Sequence, residues 1–437
     1  MKRLRPSSKT KPTLISLFSG AMGLDIGLEQ SGFELRAAVE NNPAARETIK
    51  LNRPNLPVLD DITTITTRQL LKAAGLRKRE LAVLSGGPCC QSFSTAGKRH
   101  SLGDPRGNLF RDFCRIVREA QPRFFIMENV PGILSAAIQH RPLNQRGPGF
   151  PPLSRNELFG SALTELIEEF KLLKYHVVFG VLNAADFGVP QKRHRVVFLG
   201  SRDGEPIQLP SPTHSEHPSA EQHLPPWMTL RDALKNVQSE NWCDFSETRK
   251  KYLRKLKPGQ NWRHLKDKRV QRKALGAAFL SWGGRTGFYR RLAWDQPSPT
   301  LTTQPDSFAT MLCHPTKLRP LSIEEYSAIQ QFPKKWKFAG SVRQRYELIG
   351  NAVPTGLGKH VGFMLKQIIR ARKSHHSRVR RIVCADSTLA MRLMKRPLTQ
   401  LNPGRMRRYP LPESARKWLR NSNAIKKKRR KAWLKAA

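Results

Sequence analysis

A thiol on a tight turn is the residue of this sequence best suited to chemistry. Cys90 comes directly after a Gly-Gly-Pro-Cys run, and the apolar residues 81–84 before that run predict a buried parallel strand. In an open α/β sheet, ligands gather beyond the carboxyl ends of the strands. A cysteine there is a candidate nucleophile, because the reactive thiolate needs access and a polarising neighbourhood. Taken alone, the pattern is more often an ordinary turn.

Acidic residues follow the neighbouring predicted strands. Glu40 ends a strand that begins at residue 33, Asp61 follows residues 56–59, and Glu128 follows residues 123–127. A single glutamate after a strand is more often a helix cap. Because parallel strands end at one edge of their sheet, however, these acids and the thiol should meet, and together they predict a site.

A glycine turn between the predicted strand 13–18 and a helix suggests a second ligand contact. Gly20 and Gly23 would let backbone N–H groups approach a ligand closely. Glu40 lies twenty residues after Gly20, the separation at which an acid binds ribose hydroxyls in nucleotide-type folds. The glycines do not form GxGxxG, so a pyrophosphate cofactor is not indicated.

Basic residues surround these elements. The polar, glycine-punctuated residues 95–108 are typical of a mobile lid. Arg193 and Arg195 alternate on entering a predicted strand and should point to one side, which suits an anion or a base edge. A solvated edge strand would show the same alternation.

The charge balance predicts a polyanionic partner. The 437 residues carry 78 Lys and Arg against 33 Asp and Glu, a net charge of +45. Nucleic acid is the first expectation and an anionic membrane surface the second. No stretch has the apolar length of a membrane span or a secretion signal, and the six cysteines lack metal-binding spacing. We therefore expect a cytoplasmic, nucleoid-associated protein without metal or membrane partner.

The order of elements predicts an α/β fold in several parts. We expect a basic leader (1–12), a catalytic and cofactor-binding domain (13–201), a smaller irregular domain (202–318), a closing segment (319–370) and a basic tail without ordered structure (371–437). In the closing segment, Ser322 and Glu325 are spaced as a capping box, and a single helix is expected from residue 346 to about 370.

The motifs and their order resemble those of the DNA (cytosine-5)-methyltransferases of the bacterial modification type, from residue 13 to about 368. The resemblance rests on Phe18-Ser19-Gly20, Pro88 with Cys90-Gln91, Glu128-Asn129-Val130, the Gln191/Arg193/Arg195 triplet, and the closing motifs 319–322 and 350–354. Cys89 stands where the family usually has a second proline, and Met22 replaces a glycine of the cofactor loop.

The resemblance implies a Rossmann-like, S-adenosylmethionine-dependent methyltransferase sheet with a target-recognition domain at 202–318. It implies a monomer that acts on double-stranded DNA, and it leaves a cognate restriction endonuclease open. The residues implied to bind S-adenosylmethionine are Phe18, Ser19, Gly20, Gly23, Glu40, Asp61, Ile62, Pro88, Asn351 and Val353.

The implied reaction is methyl transfer to C5 of a flipped cytosine through a covalent adduct between Cys90 and C6. Glu128, Arg193 and Arg195 complete the implied catalytic set. The expected DNA contacts are Gln91, Ser94, Lys98, Arg99, Arg106, Arg285, Arg290, Arg291 and Thr300. For the three arginines of the second domain, contacts to phosphates alone are an equal alternative to base readout.

Two other functions remain open at the level of sequence. An RNA cytosine methyltransferase would use the same thiolate chemistry, although the sizeable 202–318 region favours DNA. A non-catalytic DNA-binding protein on the same scaffold is the other alternative, and the presence of Cys90, Glu128 and Arg195 argues against it.

Overall fold

The computed structural model describes residues 11–88, 109–139, 141–142, 145–146, 149–218, 223–280, 286–371 and 381–385. Its strands are β1 (Thr13–Leu17), β2 (Glu34–Val39), β3 (Val58–Leu59), β4 (Val83–Gly86), β5 (Phe124–Asn129), β6 (His176–Asn183), β7 (Gln191–Lys192), β8 (His194–Ser201), β9 (Ser298–Pro299) and β10 (Ile382–Cys384). Its helices are α1 (Gly23–Gln30), α2 (Pro43–Asn52), α3 (Thr67–Ala73), α4 (Leu109–Ala120), α5 (Ser161–Leu173), α6 (Leu230–Leu234), α7 (Glu247–Leu253), α8 (Lys268–Leu275), α9 (Ile323–Ile329), α10 (Val342–Asn351) and α11 (Thr355–Arg370).

One eight-stranded sheet organises the described residues, in the order β10-β6-β8-β5-β4-β1-β2-β3. All neighbours are parallel except β8, which runs antiparallel to both β5 and β6. The reversal places the start of β8 at the same edge as the carboxyl end of β5. β7 and β9 form a separate two-stranded parallel pair.

Alternate strand residues face opposite apolar layers, as expected for a sheet buried on both sides. Phe125 packs in a cluster with side chains of α3, α4 and α5. Its neighbour Phe124 packs on the other face, in a cluster with α1 and α11. This arrangement confirms the predicted α/β class.

The second region has a small core of its own but also shares one with the closing segment. Leu253, Trp262, Leu275 and Tyr289 pack together in the first. Leu301, however, packs in a cluster with side chains of α9 and α10. The capping box at the start of α9 forms as predicted, with Ser322 and Glu325 bonding reciprocally.

The structure corrects three sequence predictions. The single helix expected from 346 to 370 is two helices, because Pro354 lacks a backbone N–H and restricts the residue before it to extended conformations. Order does not end at 371, since β10 pairs with β6. The catalytic core extends past residue 201, because Ile207 is buried in the sheet core and Glu205 pairs with Arg123.

Within the described residues, helical membrane spans and metal-binding clusters are both absent. No helix in these ranges is both long and apolar enough to cross a membrane. The same ranges contain no cluster of three or more His, Cys, Asp or Glu side chains that could hold a metal ion.

Candidate active site

The turn between β1 and α1 contains three residues with left-handed backbones. Phe18, Gly20 and Met22 have φ values of 56°, 52° and 66°. The methionine thus keeps a conformation that glycine adopts most readily, at a cost of about 1–2 kcal/mol. Its side chain is fully buried among apolar residues, and this burial offsets the strain. The replacement at position 22 therefore leaves the tight turn in place.

Gly23 brings the turn against the segment between α10 and α11. A Cβ atom at position 23 would lie only 2.1 Å from the carbonyl oxygen of Val353. A glycine is therefore required for this approach. Two residues implied to bind the cofactor, Gly23 and Val353, are neighbours in space although 330 positions separate them in sequence.

Glu40 lies beside the same turn, as the spacing predicted. Its Oε2 accepts a hydrogen bond of 2.7 Å from the backbone N–H of Gly20, and its Oε1 accepts one of 2.8 Å from that of Asn42. Burial raises the pKa of this carboxyl above its ordinary value. A carboxylate has about four lone-pair sites, so these bonds leave acceptor capacity for a hydroxyl donor.

The donor set at the turn fits S-adenosylmethionine. A Cβ atom added to Gly20 would have nothing within 4 Å, so there is open space in front of the turn beside the Glu40 carboxylate. Ser19 lies in this turn, where its hydroxyl donates to Ser16. A carboxylate with free acceptor capacity next to open backbone suits a ribose with two adjacent hydroxyls.

The other residues implied to bind the cofactor lie after β3 and α10. The Asp61 carboxylate accepts from the backbone N–H and the hydroxyl of Thr63, both at 2.9 Å. Ile62 is buried, and its carbonyl accepts from Arg115 at 2.6 Å. Asn351 is the last residue of α10 and is exposed.

A glutamate and an arginine meet where β5 ends and β8 begins. Arg195 Nε lies 2.6 Å from Glu128 Oε1, and the two side chains are only 10% and 13% exposed. Because β8 is reversed, Glu128 is opposite Val197 and Arg195 comes two residues earlier at the same edge. Burial raises the pKa of Glu128 above its ordinary value, and this outweighs the opposing effect of Arg195 and Arg193.

The segment that leads to the predicted nucleophile passes this pair. A Cβ atom added to Gly87 would lie 2.9 Å from Glu128 Oε2. The side-chain amide of Asn129 donates to the carbonyl of Pro88 at 3.1 Å. The chain is therefore held against the Glu128 carboxyl immediately before Cys89 and Cys90 in the sequence. Outside the described residues lie Cys89, Cys90, Gln91, Ser94, Lys98, Arg99, Arg106 and Arg285.

Arg193 has a different role from the one predicted. It is 1% exposed, and it donates to the carbonyls of Leu301 at 3.1 Å and Gly350 at 2.7 Å. Because this guanidinium donates to backbone carbonyls of two other segments, it joins those segments. We therefore correct its assignment from catalytic to positioning residue.

The arginines predicted to read DNA are also held by backbone carbonyls. Arg291 is buried and donates to Pro315, Thr316 and Leu253. Arg290 donates to Met311 at 3.0 Å, and burial lowers its pKa to about 10. Arg291 is corrected to a structural residue, because its Nη1 and Nη2 both donate to the protein, whereas for Arg290 a DNA contact through its Nη groups stays a prediction. Thr300 is exposed, and its hydroxyl donates to the carbonyl of Lys192.

Two buried polar residues near the site were missed from sequence. Asp25 on α1 accepts from the Ser85 hydroxyl at 3.3 Å, and burial raises its pKa to about 7. Gln330, just after α9, bonds to the end of α10. An acid among the buried positions of α1 was a usable signal for Asp25, whereas nothing in the local pattern singles out Gln330.

The reversed β8, the glycine turn and the acids at the strand ends together define an α/β sheet with candidate cofactor and catalytic sites at one edge. Residues 13–367 match the family model of C-5 cytosine-specific DNA methylases. The chain therefore belongs to the C-5 cytosine-specific DNA methylase family and is a DNA (cytosine-5)-methyltransferase.

Relatives of known activity cover most of the chain. Type II methyltransferase M.Sau96I of Staphylococcus aureus is 34% identical over 345 residues, which are 79% of this chain and 73% of that protein. Type II methyltransferase M.Eco47II of Escherichia coli is 33% identical over 359 residues, 80% of this chain and 78% of that protein.

Solved structures share the fold at lower identity. A structure titled as a DNA modification methyltransferase encoded within a prophage (E. coli) superposes with a TM-score of 0.55 at 22% identity, covering 82% of this chain and 99% of that one. DNMT2 of Spodoptera frugiperda superposes with a TM-score of 0.51 at 19% identity, covering 81% and 99%. These two likenesses bear on the fold alone.

Proposed function

We propose that the chain methylates C5 of cytosine within a specific sequence of duplex DNA, as a modification enzyme of the type II kind that uses S-adenosylmethionine. The names of the two relatives above support this kind of enzyme. The net charge of +45 favours a nucleic acid substrate. The single observation that carries the mechanism is the Glu128–Arg195 pair beside Gly87.

The nucleophile is Cys90. C5 of cytosine is too weak a nucleophile to be methylated directly, so the thiolate first adds to C6, which makes C5 enamine-like. When bound, S-adenosylmethionine supplies a methyl group on a positively charged sulfur. Gly20, Glu40 and Val353 would hold it at the carboxyl ends of β1 and β2. After transfer, loss of the C5 proton to a base expels the thiolate and restores the ring.

Glu128 acts as the acid that balances this addition. Attack at C6 places negative charge on N3 of the ring, where a protonated carboxyl can supply a proton or a strong hydrogen bond. The raised pKa of Glu128 favours the protonated form. Oε1 already accepts from Arg195, so the proton belongs on Oε2, the oxygen that faces Gly87 and the segment leading to Cys90.

Arg195 both orients the acid and opposes the developing charge. Its Nη1 is fixed by the carbonyl of His194 at 2.8 Å while its Nε holds Glu128. A guanidinium fixed at two of its nitrogens would offer its remaining N–H donors to the exocyclic O2 of cytosine, where negative charge also builds up.

The target base must leave the stacked duplex to reach this edge of the sheet. Unstacking and unpairing cost about a few kcal/mol, which contacts to the displaced nucleotide and the DNA backbone offset. Lys98, Arg99 and Arg106 remain our candidates for those contacts, with Gln91, Ser94 and Arg285 near the reacting and flanking bases.

The adjacent cysteines give a matched test of the nucleophile. We expect Cys90→Ser to abolish cytosine methylation and Cys89→Ser to retain it, measured by bisulfite sequencing of DNA from cells expressing each variant. A duplex containing 5-fluorocytosine should trap a covalent complex with the wild type and with Cys89→Ser only, because the C5 fluorine cannot leave as a proton does. Methylation by Cys90→Ser would refute the mechanism, and methylated RNA without methylated DNA would refute the substrate.

A further inference from the structure

The carboxyl end of α10 is capped by side chains from elsewhere in the chain. The helix ends at Asn351, and Ala352 is extended, with φ −60° and ψ 146°. The last carbonyls of an α-helix have no partners within the helix. Here Gln330 Nε2 donates to Ile349 at 2.6 Å and to Ala352 at 3.0 Å, and Arg193 donates to Gly350 at 2.7 Å.

The partners determine the orientation of each amide in this network. Carbonyls only accept, so the group that faces Ile349 and Ala352 must be the Gln330 NH₂. Its Oε1 then accepts from Gln191 Nε2 at 2.9 Å, and Gln191 Oε1 accepts from the backbone N–H of Leu301 at 2.9 Å. Both glutamines are 0% exposed. Every hydrogen on the Gln330 amide is therefore used, and the network has one consistent direction.

The capped segment is the one that faces the glycine turn. Asn351 and Val353 lie within or next to it, and Val353 packs so closely on α1 that position 23 must be glycine. Gly350 is equally confined, since a Cβ there would lie 2.7 Å from the carbonyl of Thr302. A shift of this backbone would therefore press on the glycine turn, to which Glu40 is also bonded.

The same network reaches the arginine that pairs with Glu128. Gln191 lies in β7, and Arg193 and Arg195 follow it directly. The backbone carbonyl of Gln330 also accepts from Thr355 at the start of α11. One buried amide thus connects the ends of α9 and α10, the start of α11 and the strand that leads into β8.

From this geometry we infer that Gln330 is a positioning residue for the cofactor, acting through the 349–353 segment. The inference deepens the proposed function and rests on it, because it requires S-adenosylmethionine to contact that segment. Because Gln330 is fully buried, its effect would reach the cofactor only through other residues. Its amide fixes where Asn351 and Val353 lie relative to the glycine turn.

Gln330→Met tests the inference, with Gln331→Met as the matched control. Methionine has a similar length but no donor, so it removes the cap from Ile349 and Ala352. Gln331 is the adjacent glutamine, and its amide donates at 2.8 Å to Gly188 instead. Titration calorimetry with S-adenosylmethionine, without DNA, should show affinity about tenfold weaker for Gln330→Met and unchanged for Gln331→Met.

Steady-state kinetics separate positioning from general support of the fold. For Gln330→Met we expect KM for S-adenosylmethionine to rise in parallel with the dissociation constant, with kcat at saturation within about twofold of the wild type. Gly350→Ala perturbs the same segment by crowding Thr302 and should weaken cofactor affinity even if Gln330→Met does not fold.

Other outcomes would overturn the inference. If Gln330→Met folds and binds the cofactor as tightly as the wild type does, the cap serves stability alone. If Gln330→Met does not fold, unchanged cofactor affinity in Gly350→Ala leads to the same conclusion. A fall in kcat with unchanged affinity would place the effect on the reacting groups. If the wild type itself binds no S-adenosylmethionine, the proposed function fails first, and that result is distinct from equal binding by wild type and variant.

Discussion

Two glutamate–arginine pairs lie at opposite ends of the antiparallel strands β5 and β8. At the carboxyl end of β5, Arg195 Nε lies 2.6 Å from Glu128 Oε1; at its amino end, Arg123 Nε lies 2.7 Å from Glu205 Oε1. The contacts are alike, and both carboxyls are well buried. They differ in what the second oxygen of each glutamate meets.

Among the described residues, Glu205 has its second oxygen satisfied, whereas Glu128 does not. The Ser201 hydroxyl donates to Glu205 Oε2, and the same hydroxyl accepts from the backbone N–H of Gly204 and Glu205. Among the described residues no hydrogen-bond donor reaches Glu128 Oε2, which faces the backbone of Gly87. The same pairing is a structural clasp at one end of β5, and at the other end it holds the residue that we propose as the acid of the reaction.

Of the variants at the two pairs, Glu128→Gln has the largest expected effect. The amide keeps the shape and can still accept from Arg195, but it cannot transfer a proton. We expect kcat to fall about 10²–10⁴-fold, with a melting temperature close to that of the wild type. Methyl transfer to a duplex substrate measures the first, and thermal unfolding measures the second.

Glu205→Gln is the matched control for that variant. It should leave kcat unchanged and lower the free energy of unfolding by about 1–3 kcal/mol, because Arg123 and Ser201 lose a charged partner. If both variants lost activity equally, or both lost only stability, the contrast between the two ends of β5 would be wrong.

A third buried acid lies at the reactive end without an arginine. Burial, with Glu29 adding to it, raises the pKa of Asp25 to about 7, despite bonds from Ser16 and Ser85. A raised pKa means that stability is full below the ordinary value of 3.8 and is lost as pH rises towards 7. Asp25→Asn should therefore stabilise the protein at pH 8 by at most about 4 kcal/mol.

Urea unfolding at two pH values checks this expectation. The advantage of Asp25→Asn should shrink as the pH falls from 8 towards 4, because the wild-type carboxyl becomes protonated and neutral as well. An equal difference at both pH values would mean that the side-chain shape, rather than the charge, determines stability at position 25.

Sequence predicted the residues whose position follows from strand order. Glu40 and Glu128 end parallel strands. An apolar run followed by an acid, together with the rule that parallel strands end at one edge of a sheet, was enough to predict where they lie. Arg193 was misassigned, because its partner Gly350 lies 157 positions away. Gln330 was missed, because its partner Ile349, 19 positions away, is exposed to it only by the way α10 ends. Arg291 was misassigned for the same reason, since the irregular second region has no periodicity to show which side of its backbone faces inwards.

The smallest expected effect, Arg195→Lys, tests how the pair sets the pH range of the reaction. Glu128 must be protonated, so kcat should fall as pH rises through its raised pKa, while the thiolate fraction rises with pH. Arg195 favours the charged carboxylate. A lysine lacks the planar guanidinium of arginine and approaches the carboxyl less closely. It therefore stabilises the carboxylate less, and Glu128 should keep its proton to higher pH. We expect kcat about tenfold lower, with the alkaline limb of its pH profile displaced upwards. An unchanged alkaline limb with the acidic limb displaced upwards would mean that Glu128 works as a carboxylate, which would remove the distinction between the two ends of β5.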